Sequence, residues 1–350
     1  MKYLVTGGAG FIGSHLADRL IAGGSEVVLL DDLSTGKTEN IEHLLGLGSV
    51  EFVDGCATDS ALVGELMAGV DRCIHLASAV GVQLIVDRPL ESMLRNTRGM
   101  EVVTEAASRE RVRLLLASTS EIYGKSSTAL HEDSDRVLGS PAKSRWTYAN
   151  AKVHGEMLAF GYHSTTGAEN IVVRFFNTVG PRQTGMYGMV VPRFVRQAMR
   201  GEDITVYGDG MQSRCFTHVD DSVDAVVRLI DCDEAIGQPF NIGCQTEVTI
   251  QELAAEVVRM TGSDSHIRHV PYAEAYGEGF EELGRRKPDT TRIEKLIGWR
   301  PRHSIETAIA DIIAHEQGVT ADPVPVSTAA PAPALALAAA PEPTPYTVPA

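Results

Sequence analysis

The stretch Lys2-Tyr3-Leu4-Val5-Thr6-Gly7-Gly8-Ala9-Gly10-Phe11-Ile12-Gly13 decides how the rest of the chain is read. Its opening residues make a short run of the kind that forms a buried strand. Glycines follow at two overlapping spacings. Gly8, Gly10 and Gly13 fit Gly-x-Gly-x-x-Gly, and Gly7, Gly10 and Gly13 fit Gly-x-x-Gly-x-x-Gly. A helical pattern covers residues 14–22, and a second strand over residues 26–30 ends in Asp31-Asp32. Strand, glycine loop, helix and strand in this order suit a dinucleotide. The backbone must turn tightly, approach a pyrophosphate, and let a helix N-terminus face it. Gly7, Gly10, Phe11, Ile12 and Gly13 are therefore cofactor candidates. An acidic residue at the end of the second strand accepts hydrogen bonds from ribose hydroxyls and repels a 2′-phosphate. Asp31 and Asp32 thus point to NAD over NADP.

The alternation continues. Strands are expected at residues 50–54 and 72–76, a helix at 96–109, and an apolar strand at 114–117. The small residues Ala77-Ser78-Ala79-Val80-Gly81 after the fourth strand let a cofactor come close, and Leu76 and Ala77 join the cofactor candidates. Ser118-Thr119-Ser120-Glu121-Ile122-Tyr123-Gly124 falls at a strand's carboxyl end, where open α/β sheets place ligands. Tyr148 and Lys152 are four apart and share one face of a helix running to about residue 163. A lysine ammonium beside a phenol lowers the tyrosine pKa, and such a tyrosine can take a proton from a sugar hydroxyl. A further strand at 171–175 leads into Asn177. The reading is α/β: a doubly wound parallel Rossmann sheet with a smaller, interleaved C-terminal α/β domain.

The expected division is residues 1–180 for the dinucleotide domain, with 216–243 packing back on it. Residues 181–215 and 244–318 form the substrate domain, and 319–350 a Pro/Ala-rich disordered tail. Prolines repeated through that tail oppose helix and sheet.

Composition excludes several classes. The net charge is −15 with no Lys/Arg run, a poor match to a phosphate backbone. The five cysteines form no Cys-x-x-Cys pair or zinc spacing, which fits reduced thiols in a cytoplasmic protein with no metal. The chain opens on a strand rather than a signal peptide, and no apolar run is long enough to span a membrane.

The set Thr6 to Gly13, Asp31, Tyr148/Lys152, Asn177 and Arg214 resembles the extended short-chain dehydrogenase/reductase family acting on nucleotide sugars, over residues 1–317. His75-Leu76-Ala77-Ser78, the run into Glu121, and Arg286-Lys287-Pro288-Asp289 are similar to UDP-glucuronate decarboxylases, the UDP-xylose synthases. Arg145-Trp146-Thr147-Tyr148, Arg214-Cys215-Phe216-Thr217 and Tyr276-Gly277-Glu278-Gly279 are similar to the decarboxylase domain of the bacterial enzyme of aminoarabinose lipid modification. Cys56 stands where many relatives carry an aspartate near the adenine, and Ala149-Asn150-Ala151 departs from the usual xylose-synthase residues.

The resemblance implies NAD, a UDP-sugar, and a homodimer formed through the helices near Asn96 and Tyr148. It implies that Thr119, Glu121, Tyr148, Lys152 and Arg286 carry the chemistry, with Asn177, Val191, Tyr207, Arg214 and Arg286 on the substrate side. In that scheme Arg286 pairs with the sugar carboxylate and Glu121 helps protonate C5. A 4-epimerase is the alternative and a 4,6-dehydratase the third reading. Ser120 stands where the dehydratase wants aspartate. His75 and His218 read as structural.

Overall fold

The computed structural model describes residues 1–80, 88–126, 130–185, 189–276 and 285–318. Gly81, the Gly277-Glu278-Gly279 stretch and the tail from residue 319 lie outside the described residues.

The expected α/β architecture is present. The chain runs β1 (Lys2–Thr6), α1 (Phe11–Ala22), β2 (Glu26–Asp31), β3 (Val50–Asp54), α2 (Ser60–Met67), β4 (Arg72–His75), α3 (Pro89–Glu110) and β5 (Arg113–Thr119). It continues through α4 (Thr147–Thr166), β6 (Asn170–Phe175), β7 (Thr178–Val179), α5 (Val190–Met199) and β8 (Ile204–Tyr207). Then follow β9 (Ser213–Cys215), β10 (Thr217–His218), α6 (Val219–Ile230), β11 (Pro239–Ile242), β12 (Glu247–Thr249), α7 (Ile250–Thr261) and β13 (Ile267–Val270). The described part ends with α8 (Thr291–Ile297) and α9 (Ile305–Glu316).

Among the described residues, seven strands form one sheet in the order β11-β6-β5-β4-β1-β2-β3, all pairings parallel. From β1 the chain builds outward through β2 and β3, then crosses back to β4 and builds the other way. The order reverses between β1 and β4, and a crevice opens at such a switch point. Alternation along β1 sends Tyr3 and Val5 into one core with Leu16, Leu29 and Val226, and Leu4 into another with Val28, Val63 and Val103. Both faces are covered, so the strands read as nearly continuous apolar runs. Leu29 is fully buried; truncating such a leucine to alanine costs about 2–5 kcal/mol. Helices α3 and α4 pack closely where Gly155 faces Met100: a Cβ on Gly155 would lie 2.1 Å from the Met100 sulfur.

A separate core joins Val191, Phe194, Val195, Ile204, Leu253, Val257 and Ile309. It packs α5, α7 and α9 around the β8–β13 pair. Ile293 and Trp299, within the 244–318 piece, pack into the core of the large sheet instead. The Trp299 indole donates to the Asp221 carbonyl at 3.0 Å, tying that segment to α6.

Three local differences from expectation have simple causes. Helix α2 was not anticipated: it is only eight residues long, too short for a clear period, and Asp59 caps it by accepting from the Ala61 and Leu62 amides. Helix α3 starts at Pro89 rather than near residue 96, because proline is well suited to a helix's first turn. Strand β5 runs on to Thr119, since Ser118 and Thr119 still pair with Arg174 and Phe175 of β6.

Candidate active site

A cavity of about 450 Å³ opens at the switch point. Every residue expected at the site lines it. Gly7, Gly10, Phe11, Ile12, Gly13 and Asp31 do so at one end, with Asp32, Leu76 and Ala77. Thr119, Glu121, Tyr148, Lys152, Asn177 and Arg286 line the other, with Val191, Tyr207 and Arg214 beyond them.

The glycine end is shaped by backbone. Gly7 has φ +74°, and a Cβ there would sit 2.8 Å from the Ala77 nitrogen. A Cβ on Gly13 would fall 2.1 Å from the Gly7 carbonyl oxygen. The loop folds on itself directly before α1, whose N-cap Gly10 has no side chain to occupy the first-turn amides. That is the concave, donor-rich cradle a pyrophosphate needs.

Asp31 is largely committed to the protein. Its two oxygens accept from the Ala9 amide at 3.0 Å and the Leu33 amide at 2.9 Å. Burial nonetheless raises its carboxyl pKa. Asp32 accepts from the Ser34 amide at 3.1 Å and pairs with Arg95 of α3. Burial opposes its ionisation, but Ser34 and Arg95 outweigh it and hold the carboxyl low.

At the other end Tyr148 and Lys152 are both buried, on the first turns of α4. Lys152 Nζ donates to the Ala117 carbonyl at 2.9 Å and lies 5.8 Å from the Tyr148 ring centre. Burial lowers the Lys152 pKa to about 7, against the pull of Glu156. The expectation for Tyr148 is corrected here. Its pKa is raised, first by burial and then by the Glu121 charge, while the Ser78 and Thr119 hydroxyls pull it down. Burial and the nearby Glu121 carboxylate oppose the phenolate that the four-residue spacing suggested.

Beneath the pair lies a buried ion pair. Arg174 of β6 donates to both Glu156 oxygens, at 2.9 and 2.6 Å, and to the Tyr123 hydroxyl at 2.8 Å. This fork fixes α4 to the sheet one turn past Lys152.

Glu121 sits among cations. Arg145 Nη1 donates to it at 2.6 Å, and Arg286 Nη1 lies 3.6 Å away. Burial would raise the Glu121 carboxyl, but Arg145 and Arg286 outweigh it and hold it below the ordinary range. Glu121 is therefore a carboxylate here, not a loaded proton donor. Arg286 Nη2 also donates to Asn177 Oδ1 at 3.2 Å, and the Asn177 amide donates to the Cys215 carbonyl at 2.9 Å. Asn177 has φ +36°, a left-handed bend that turns it back across the strand ends. Arg214 lies alongside, bridged to Arg286 through the backbone. Asp209 accepts from the Met211 amide within its own turn. Further out, Tyr207 stacks under the Arg193 guanidinium, 4.1 Å from its ring centre.

Sequence reasoning left Arg145 and Arg95 outside the site. Arg145 had a usable signal, since it lies one helical turn before Tyr148. His75 shares a 2.7 Å hydrogen bond with Thr6, and His218 caps α6 by accepting from the Asp220 amide. All five cysteines are free thiols. Among the described residues, no helix is long and apolar enough to cross a membrane.

The chain is similar to known proteins over most of its length. A UDP-N-acetyl-alpha-D-glucosaminuronate decarboxylase of Bacillus cytotoxicus is 39% identical over 89% of this chain and 96% of its own. A UDP-glucuronic acid decarboxylase 1 of Danio rerio is 35% identical over 90% of this chain and 72% of its own. Among solved structures, the UDP-glucuronic acid 4-epimerase of Bacillus cereus, crystallised with UDP-glucuronic acid and NAD, superposes with a TM-score of 0.82 at 26% identity. That match covers 91% of this chain and all of the epimerase. The pattern of the NAD dependent epimerase/dehydratase family matches residues 3–243. The chain belongs to the NAD dependent epimerase/dehydratase family.

Proposed function

We propose that the protein is an NAD-dependent UDP-glucuronate decarboxylase, with a 2-acetamido uronate as the close variant of its substrate. The observation that carries this reading is the charge arrangement at the sugar end. Glu121 is flanked by Arg145 and Arg286, with Arg214 adjacent. Among the described residues three guanidiniums gather at this end, the groups that suit a diphosphate and a C6 carboxylate. A neutral hexose would not need Arg286. The B. cereus structure keeps the 4-epimerase as the second reading.

NAD is the cofactor of this family. Gly7, Gly10, Phe11, Ile12 and Gly13 would hold its pyrophosphate, with Asp31, Asp32, Leu76, Ala77, Tyr148 and Lys152 along the rest. When bound, NAD accepts a hydride from sugar C4 and can return it. Tyr148 takes the 4-hydroxyl proton, with Thr119 orienting that hydroxyl. Tyr148 can do so only after its own phenol proton has gone to solvent, and Lys152, 5.8 Å from the ring centre, is the cation beside it. The resulting 4-ketone is β to the carboxylate, so the C5–C6 bond breaks with its electrons moving into the ketone and carbon dioxide leaving. Arg286 orients the carboxylate through the paired donors of its guanidinium. Sharing Arg286 with a second carboxylate weakens its hold on Glu121. Glu121 then binds protons more readily, so a solvent proton can reach C5 through it or through a water that it orients. Asn177 and Arg214 hold the diphosphate, with Val191 and Tyr207 further along. Removing Arg286 as Arg286→Ala is expected to cut UDP-glucuronate turnover by one to two powers of ten, roughly 1.5–3 kcal/mol, with NAD binding retained. Unchanged turnover would refute the assignment of Arg286.

The division into residues 1–180 with 216–243, and 181–215 with 244–318, is part of the proposal; the two separate cores support it. So is the homodimer. Leu90 and Leu94 on α3 and Met157 on α4 are 69%, 58% and 62% exposed on adjoining helices, which suits burial against a second copy. Light scattering at micromolar concentration checks this, and a monomeric mass would refute it.

A further inference from the structure

We propose that Asp32 and Arg95 act as a latch that sets dinucleotide choice, with Asp32 holding back an arginine that would otherwise take a 2′-phosphate. The proposal rests on reading this end of the cavity as the adenosine-ribose end of the dinucleotide.

Asp31 is the acidic residue that the sequence offers for this task, yet its carboxylate is turned into the protein. Both oxygens accept backbone amides, and Gly36 approaches so closely that a Cβ there would meet each oxygen at 2.8 Å. Asp31 is only 8% exposed. Asp32 is the more open of the two, its side chain 26% exposed. It is directed there by Leu33, which adopts φ +55°, and by the Ser34 amide.

Arg95 reaches Asp32 from the far side of the cavity, 63 residues along the chain. Its side chain is 35% exposed and also lies 3.8 Å from Cys56 Sγ. Cys56 offers a thiol there, and its Sγ shares a hydrogen bond with the Thr58 hydroxyl at 3.1 Å. Asp32 is therefore the carboxylate hydrogen-bonded to the Arg95 guanidinium. Asp32, Ser34, Thr35, Cys56, Thr58 and Arg95 all line this end of the cavity.

The chemistry follows from these contacts. A 2′-phosphate is a dianion with three acceptor oxygens, and a guanidinium is its usual partner. In the wild type that guanidinium is occupied by Asp32, and the approaching phosphate also meets the Asp32 charge. Neutralising Asp32 removes the repulsion and releases Arg95 together. Ser34 and Thr35 offer additional donors beside it. A ribose 2′-hydroxyl, in contrast, is uncharged and has no need of Arg95.

The test is calorimetric titration of the nucleotide-free full chain with NAD and with NADP, reading the ratio of the two dissociation constants. Asp32→Asn is expected to shift the ratio toward NADP by about tenfold or more, the scale of one charge-assisted contact. Adding Arg95→Met to that variant is expected to reverse most of the shift. Arg95→Met alone is expected to move the ratio away from NADP, because it leaves the Asp32 carboxylate unpaired; this variant decides the matter if Asp32→Asn does not fold. An unchanged ratio in Asp32→Asn overturns the proposal. So does a shift that survives Arg95→Met, which would mean that lost repulsion alone is responsible. Wild-type protein that binds neither nucleotide overturns the underlying reading of this end; binding of NAD with no shift overturns only the latch.

Discussion

The two ends of the cavity are built in opposite ways. The glycine end is made of backbone from one continuous stretch, with Gly7, Gly10 and Gly13 defining its shape. The sugar end is made of side-chain charges from distant parts of the chain: Glu121 after β5, Arg145 before α4, Arg214 and Arg286 from the smaller layer. A backbone site tolerates almost no added atoms but is insensitive to pH. A charge site keeps its shape when one member is lost, yet changes its chemistry.

That contrast can be broken most severely at Gly13. A valine there would drive its Cβ into the Gly7 carbonyl. Gly13→Val is expected to raise the dissociation constant for NAD by about a hundredfold or more, on the scale of 1.4 kcal/mol per tenfold, and to lower the melting temperature. A variant that binds NAD normally would show that the cradle is not where the pyrophosphate sits.

Tyr148→Phe works at the other end. It removes one oxygen and leaves the ring in its pocket, so turnover is expected to fall by about 10²–10⁴-fold while NAD binding and melting stay close to wild type. A large loss of stability instead would make Tyr148 a structural residue.

Arg145→Met sharpens the contrast through pH. The Glu121 pKa is depressed in the fold, so its pairing contributes stability above the ordinary carboxyl value of 4.5 and loses it as the pH falls. Breaking a buried pair costs about 3–5 kcal/mol. Arg145→Met is therefore expected to be most destabilised at neutral pH, and the gap to wild type is expected to close on acidification. A gap that stays constant in thermal melts across that range would mean that Arg145 matters for packing alone.

The same difference explains what could be read from the sequence. The glycine cradle was legible because its geometry demands one residue type at short, fixed spacing. The sheet was legible because strands buried on both faces are nearly all apolar. Tyr148 and Lys152 were legible as a pair, but not the direction of the tyrosine's shift. That depends on burial and on Glu121, which only the folded chain brings near. Arg145 and Arg95 escaped because each is one arginine among many, and their partners Glu121 and Asp32 lie 24 and 63 residues away. Asp31 was found at its expected place, yet the turn of the following loop commits its oxygens to backbone amides.

The most direct measurement supplies the purified full chain with NAD and UDP-glucuronate carrying a labelled C6 carboxylate, in deuterated water. The account expects labelled carbon dioxide to be released in step with a UDP-pentose, or its 4-keto form, carrying deuterium at C5. Conversion to UDP-galacturonate with the label retained in the sugar would contradict the decarboxylase and establish the 4-epimerase in its place.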